Sequence, residues 1–193
     1  WNWSEVSLSS EVEVQQRAYG VLAFSLPEHG PEETLIKCIR SSGLPACDIS
    51  VHTDERDLLL AFVNIVAARD PDLLVGYEVQ NSSWGYLIER GMNLTPPLHL
   101  LQLLSRVPTE KPSNRNEYDK YGEEHESGIW ITGRIVLNIW RRMKAELKLT
   151  SFTQSYLASF LLHRRFAEFS AAQLTRWYKK TNLLSRCIRY LFR

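Results

Sequence analysis

Alternation and helical spacing take turns along this chain, and together they predict its elements. Over residues 6–14, Val6, Leu8, Val12 and Val14 point one way while Ser7, Ser9, Glu11 and Glu13 point the other. A period of two predicts a strand and sets Glu11 and Glu13 on one face. Residues 19–26 form a second apolar strand, 27–33 a turn rich in Pro, Gly and Glu, and 35–39 a third, short strand. Asp48–His52 is a brief strand leading into a helix. Thr53 is placed to cap that helix, and Asp54 and Glu55 stand in its first turn, where the helix dipole favours acids. Leu58, Leu59, Phe62, Val63 and Val66 make its apolar stripe.

The stretch 70–91 organises the rest. Pro71 ends the preceding helix, because the residue before a proline is pushed out of the helical region. Leu73, Leu74 and Val75 form an apolar run bounded by turn residues, which predicts a buried strand. Gly76 allows a tight exit, and a helix follows with Trp84, Leu87 and Ile88 on one face. Residues 97–107 predict a short helix. Residues 108–127 are polar, hold two prolines and lack an apolar period, as in an exposed loop. A strand is expected over 129–137 around Gly133, a basic helix over 138–147, and a helix over 150–162 capped by Thr150 or Ser151. The last helix is expected over 171–193, with Trp177, Tyr178, Leu183, Leu184, Ile188 and Leu191 as core positions. Strands first, then strands alternating with helices, fit an α/β layer architecture.

Length and composition narrow the class. A chain of 193 residues builds one domain with a sizeable core, and 44% hydrophobic with 23% charged residues is ordinary for a soluble globular protein. No apolar run approaches the roughly 18 residues of a membrane span, and the first residues lack the basic start and apolar core of a signal peptide. The chain begins without methionine and stops inside a helical run, so a piece of something longer is expected. Cys38, Cys47 and Cys187 are odd in number and far apart, which fits neither a zinc spacing nor a disulfide framework and points to a reducing compartment. The glycosylation sequons at Asn81 and Asn93 are short enough to arise by chance.

The net charge of +1 conceals an asymmetry. From Arg141 onward stand 12 Lys and Arg against 2 acids, which leaves 11 basic and 20 acidic residues before it. Such a split predicts a C-terminal part that faces a polyanion or an acidic partner, unless the halves neutralise each other within one fold. Arg141, Arg142, Lys144, Arg164, Arg165, Lys179 and Lys180 are the candidates for a basic face that touches DNA or docks on a neighbouring domain. Trp140, Trp177 and Tyr178 have the chemistry to stack on unpaired bases, but their helical spacing favours a place in the core. Other chemistry has no footprint. His29, His52, His99, His125 and His163 are scattered, and no phosphate-cradling loop or nucleophile elbow occurs.

Gly76, Tyr77, Tyr86 and Leu87 fit the second exonuclease motif of family B DNA polymerases, which reads Gly-Tyr-Asn-x-x-x-Phe-Asp-x-Pro-Tyr-Leu in proofreading members. The metal-binding aspartate of that motif falls on Ser83, its phenylalanine neighbour on Ser82 and its proline on Gly85. Glu78, Ser83, Trp84 and Gly85 resemble the altered motif of the zeta-type, translesion branch of the family. Further blocks resemble that branch in the same order: Ser105-Arg106-Val107-Pro108, residues 133–143, 149–153 and 162–166. The resemblance implies a ribonuclease H-like exonuclease domain over 1–193, a mixed sheet flanked by helices. It also implies a parent chain that is a DNA-directed DNA polymerase in the nucleus, with its palm beyond Arg193. The implied partners are primer-template DNA, the remaining polymerase domains and accessory subunits, with no membrane. Mg²⁺ and an iron–sulfur cluster are implied for the parent polymerase only, with no cofactor in this segment.

Exonucleases of this family work with two metal ions about 3.5–4 Å apart, and Mg²⁺ takes hard oxygen ligands in near-ideal geometry. Four carboxylates normally hold the pair: an Asp-x-Glu on the first strand, one Asp in the second motif and one in a later Tyr-x-x-x-Asp. Glu11-Val12-Glu13 resembles a relic of the first, although a solvated strand face reads the same. Ser83 supplies only a neutral hydroxyl, and residues 169–193 contain no acid at all. With at most two of four ligands, the expectation is a degenerate site with no catalytic residue and no bound metal, in which Gly76, Tyr77, Trp84, Gly85 and Tyr86 persist as motif scaffold. The rivals are an active metal-dependent 3′–5′ exonuclease with unaligned ligands, and a non-enzymatic module that binds protein through its acidic half.

Overall fold

The computed structural model describes residues 20–43, 47–107 and 128–191. The strand expected at 6–14, with Glu11 and Glu13, and the loop expected at 108–127 lie outside the described residues. Strand β1 (Gly20–Phe24) pairs in parallel with β2 (Asp48–His52), Gly20 opposite Asp48 and Phe24 opposite His52. Parallel neighbours need a crossover; here it runs through a 3-10 turn at Pro27–His29 and helix α1 (Glu32–Arg40). Helix α2 (Glu55–Arg69) leads to β3 (Leu73–Gly76), then α3 (Ser83–Met92) and α4 (Leu100–Leu104). Strand β4 (Ile135–Asn138) pairs in parallel with β3, Leu73 opposite Ile135 and Gly76 opposite Asn138. Helices α5 (Ile139–Glu146), α6 (Gln154–Leu162), α7 (Ala171–Lys179) and α8 (Thr181–Leu191) complete the order. The α/β content is as expected, but the described strands form two two-stranded parallel sheets; the single mixed sheet is not seen among them.

Two apolar clusters hold these pieces. One gathers Leu59, Val63 and Val66 of α2, Leu74 of β3, Leu100 and Leu104 of α4, Leu98 and Ile131, with Trp84, Leu87 and Ile88 of α3 packed against it. The other joins Val21 and Ala23 of β1 to Leu35 and Ile39 of α1 and Leu184 and Ile188 of α8. Buried His29 ties them to α7: Leu26 N–H donates to its Nδ1 at 3.2 Å, and its Nε2 donates to the Tyr178 carbonyl at 2.8 Å.

Several expectations need correction. Residues 35–39 are part of helix α1, not a strand. Leu35 and Ile39 are four apart and both fully buried on one helix face, with Glu32 and Glu33 complementing the first turn; the apolar run was too short to reveal that period. The N-cap of α2 is Asp54, not Thr53. Strand β3 buries only Leu74, while Leu73 and Val75 are each 47% exposed, because the pair β3–β4 is covered on one face. Of 129–137 only the end is strand, since Gly133 turns the chain at φ +83° just before it. Helix α6 is capped by Thr153, whose Oγ1 accepts from Tyr156 N–H at 3.3 Å, and not by Thr150 or Ser151. The expected helix over 171–193 is two, broken at extended Lys180, so that α7 and α8 can pack against each other. Trp177, Leu184 and Ile188 are core as expected; Leu191 is 64% exposed.

Candidate functional site

The turn between β3 and α3 is tightly closed, with the Gly85 N–H donating to the Val79 carbonyl at 2.7 Å. Glu78 is its hub. Glu78 Oε1 accepts from Gln80 N–H at 3.1 Å, and Oε2 from Asn81 N–H at 2.8 Å and Ser82 N–H at 3.1 Å. The hydroxyls of Ser82 and Ser83 both donate to the Glu78 carbonyl, at 2.8 and 3.0 Å. The carboxylate thus satisfies three successive backbone donors of the turn just before α3, where the helix dipole also favours its charge.

Two glycines make this closure possible. A Cβ on Gly76 would come 2.6 Å from Ser83 Oγ, and one on Gly85 would fall 1.7 Å from the Gln80 carbonyl oxygen. Gly85 N–H also donates to the Val79 carbonyl at 2.7 Å. A proline, the residue of the proofreading motif, has neither that N–H nor room for its ring here. Ser83 itself sits at φ +46°, a left-handed conformation uncommon for a residue with a Cβ.

The surrounding side chains fasten the turn to the core. Trp84 Nε1–H donates to the Val75 carbonyl at 3.1 Å, and its ring lies 5.6 Å from that of Phe62. Tyr77 O–H donates to the Phe152 carbonyl at 2.7 Å, and burial pushes its phenol above the usual value. Trp140 N–H donates to the Tyr77 carbonyl at 2.7 Å. At the adjoining end of β4, buried Asn138 caps α5 by accepting from Arg141 N–H at 3.3 Å, and Arg141 Nη2 donates to Gln80 Oε1 at 2.9 Å. Asn138 Nδ2 finds no partner in the described structure.

Gly76, Tyr77, Ser83, Trp84 and Gly85 meet at or beside this turn, while Tyr86 is 56% exposed. The basic candidates divide. Arg141 is tied to the turn, Arg142 pairs with Glu146 at 2.7 Å, and Lys144 Nζ stands 4.9 Å above the Trp140 ring. Arg164 and Arg165 are exposed after α6, and Lys179 and Lys180 are exposed at the α7–α8 break. Trp177 is buried against Phe169, and Tyr178 O–H donates to the Phe24 carbonyl at 2.5 Å, so both serve the core.

A second polar cluster was not singled out from the sequence. Asp70 ends α2 in a left-handed conformation. Its Oδ1 accepts from Arg106 Nε at 2.7 Å and lies 2.9 Å from Arg134 Nη1. The Arg106 hydrogen bond first, and Arg134 beside it, hold the Asp70 carboxyl below its ordinary range. Arg106 also reaches Asp72 at 2.6 Å, and buried Arg134 donates to the Leu104 and Pro71 carbonyls at 2.9 and 2.5 Å. These arginines bind the entries of β3 and β4 to α4. Their sequence signal was membership of the Ser105-Arg106 and Gly133-Arg134 blocks.

Chemically, the turn presents hydroxyls that are already donating and a carboxylate that is already accepting. Ser83 Oγ is directed at a carbonyl of its own chain rather than outward. Among the described residues no group of three or more His, Cys, Asp or Glu is gathered to hold a metal ion, and no helix is long and apolar enough to cross a membrane.

Comparison with known proteins places the chain. The family model for the exonuclease domain of DNA polymerase family B matches residues 5–157. The DNA polymerase zeta catalytic subunits of Mus musculus and Homo sapiens are each 41% identical over 145 residues, which is 74% of this chain and 5% of theirs. That of Saccharomyces cerevisiae is 34% identical over 145 residues, 74% of this chain and 9% of the yeast protein. The chain thus spans a small fraction of the length of the curated relatives it matches. With the motif turn, its altered residues and the ordered blocks in agreement, the chain belongs to the family B DNA polymerase exonuclease domains, in their zeta-type form.

Proposed function

We propose that this domain is a degenerate, nuclease-inactive member of its family, acting as scaffold and DNA-channel wall in a DNA-directed DNA polymerase that extends past damaged template in the nucleus. One observation carries the reading: the hydroxyl at Ser83 stands in place of a metal-binding carboxylate and donates to the Glu78 carbonyl. Among the described residues, the Glu78 carboxylate at this turn is occupied by three backbone N–H groups. Loading a divalent cation there would require breaking those bonds and would still leave too few hard oxygen ligands. The donor set at the turn therefore does not fit a two-metal site. Loss of proofreading suits extension from a distorted end, since an active exonuclease would excise that end first.

The exposed cations Arg142, Lys144, Arg164, Arg165, Lys179 and Lys180 support the DNA-wall part. Mg²⁺ and an iron–sulfur cluster belong, in this reading, to the rest of the polymerase, as do accessory subunits. The deciding experiment incubates the purified chain with end-labelled single-stranded DNA and Mg²⁺ or Mn²⁺. No shortening is expected; metal-dependent digestion would overturn the reading. Primer-template binding measured across salt concentration tests the wall, and affinity should fall steeply as salt rises. A signal indifferent to salt favours a protein partner instead.

A further inference from the structure

Helices α5, α6 and α8 do not close against one another. Between them lies a groove of about 490 Å³, walled by Ile139 and Met143 of α5, Leu157, Leu161 and Leu162 of α6, and Leu191 of α8. Three of these stand at its mouth in water: Leu161 is 46% exposed, and Leu162 and Leu191 are each 64% exposed. Helix α6 also leaves Tyr156 and Phe160 exposed. A helix apolar on more than one side is built to be covered.

The charge beside this groove is mainly positive, although exposed Glu168 follows the wall residue Ala167. Arg142 and Lys144 flank the wall residue Met143 in the chain, and Arg164 and Arg165 fall between the wall residues Leu162 and Phe166. All four are exposed. The only acids from Arg141 onward are Glu146 and Glu168, and Glu146 is paired with Arg142. A phosphate backbone would use these cations but leave the leucines in water. Base stacking needs exposed aromatic faces, whereas the aromatic wall residues Tyr77, Phe166 and Tyr190 are half-buried and the large apolar wall residues in water are leucines. An apolar trough with leucines at its mouth and a mainly cationic rim matches an amphipathic helix, whose apolar side chains recur at i, i+3, i+4 and i+7, flanked by acids.

We propose that this groove docks an acidic amphipathic helix of a partner protein, its leucine face on Met143, Leu161, Leu162 and Leu191 and its carboxylates against Lys144, Arg164 and Arg165. The groove shares Tyr77 with the motif turn, but its exposed leucines and rim cations take no part in that turn, so the proposal stands whether or not the nuclease reading does.

The test uses the whole 193-residue chain and two fluorescein-labelled helical peptides that share a leucine face, one flanked by Glu and one by Lys, read by anisotropy. The Glu peptide binds, and its affinity falls as salt rises. The Lys twin binds at least about tenfold more weakly. Leu162→Glu, Leu191→Glu and the pair Arg164→Glu/Arg165→Glu each weaken the Glu peptide about tenfold. The pair Lys37→Glu/Arg40→Glu on α1, which lines no part of the groove, leaves it unchanged. These positions are all exposed, and circular dichroism verifies that each variant is folded. Equal binding of the two peptides, binding by neither, or binding indifferent to the groove variants overturns the proposal. So does displacement by single-stranded DNA whose own binding is lost in Leu162→Glu, or a dimer in sedimentation that Leu162→Glu dissolves.

Discussion

The turn after β3 and the groove between α5, α6 and α8 use their surfaces in opposite ways. In the turn, the Glu78 carboxylate, the Ser82 and Ser83 hydroxyls and the Gly85 N–H all find partners within ten residues, and two glycines let the backbone close on itself. In the groove, leucines from two helices remain in contact with water beside exposed arginines. A set of polar groups that satisfy one another has little left to offer a metal or a substrate. Apolar groups without a cover gain free energy from any partner that excludes water. The motif turn spends its polar groups on its own backbone, and the later helices hold the open surface.

The contrast can be tested from its strongest element downward. Gly85→Ala forces a Cβ against the Gln80 carbonyl and should cost about 3 kcal/mol. For a chain of this size that lowers Tm by roughly 6–12 °C; a shift within a degree would mean the turn has room to relax. Glu78→Ala leaves the N–H groups of Gln80, Asn81 and Ser82 to water and should cost about 1–2 kcal/mol in urea unfolding. If stability is unchanged, the carboxylate is not what holds the turn.

Acid should loosen the turn side through the Glu55–Arg90 pair, which ties α2 to α3. The Arg90 hydrogen bond holds the Glu55 carboxyl below its ordinary 4.5, so its stabilisation is whole above that value and is lost as pH falls through the lowered one. Because both groups are partly exposed, the effect is small. Comparing unfolding of the chain with Arg90→Ala between neutral and acid pH reads it, and a constant difference would contradict the linkage. The smallest effect belongs to the groove. Leu162→Ser, at a side chain already in water, should change stability by less than about 0.5 kcal/mol. A larger loss would show that the groove is closed in solution.

Residues with a strong local signature were readable in advance. The stripe of Leu59, Val63 and Val66 became α2, Leu73–Gly76 became β3, and Trp84, Leu87 and Ile88 turned toward one cluster. Gly76, Ser83 and Gly85 marked the altered motif. Short apolar runs misled: Leu35 and Ile39 fit either period until α8 packs on α1 and selects the helix. Caps slipped by one to three residues, from Thr53 to Asp54 and from Thr150 or Ser151 to Thr153, because several neighbouring polar residues can each cap a helix. The last helix had to break at Lys180, which no local preference announces.

By itself, then, the order of residues determined that a neutral serine stands at position 83 of the motif, where most of the periodic elements lie, and that charge is split between the two parts of the chain. Such features are set by residue type and near neighbours, which travel with the sequence. Tertiary structure alone decided that Glu78 folds back to fill its own turn, that Arg106 and Arg134 converge on Asp70, and that α5, α6 and α8 leave a trough open. Each depends on groups far apart in the chain, or on a backbone path no spacing encodes, and only packing brings them within a few ångströms.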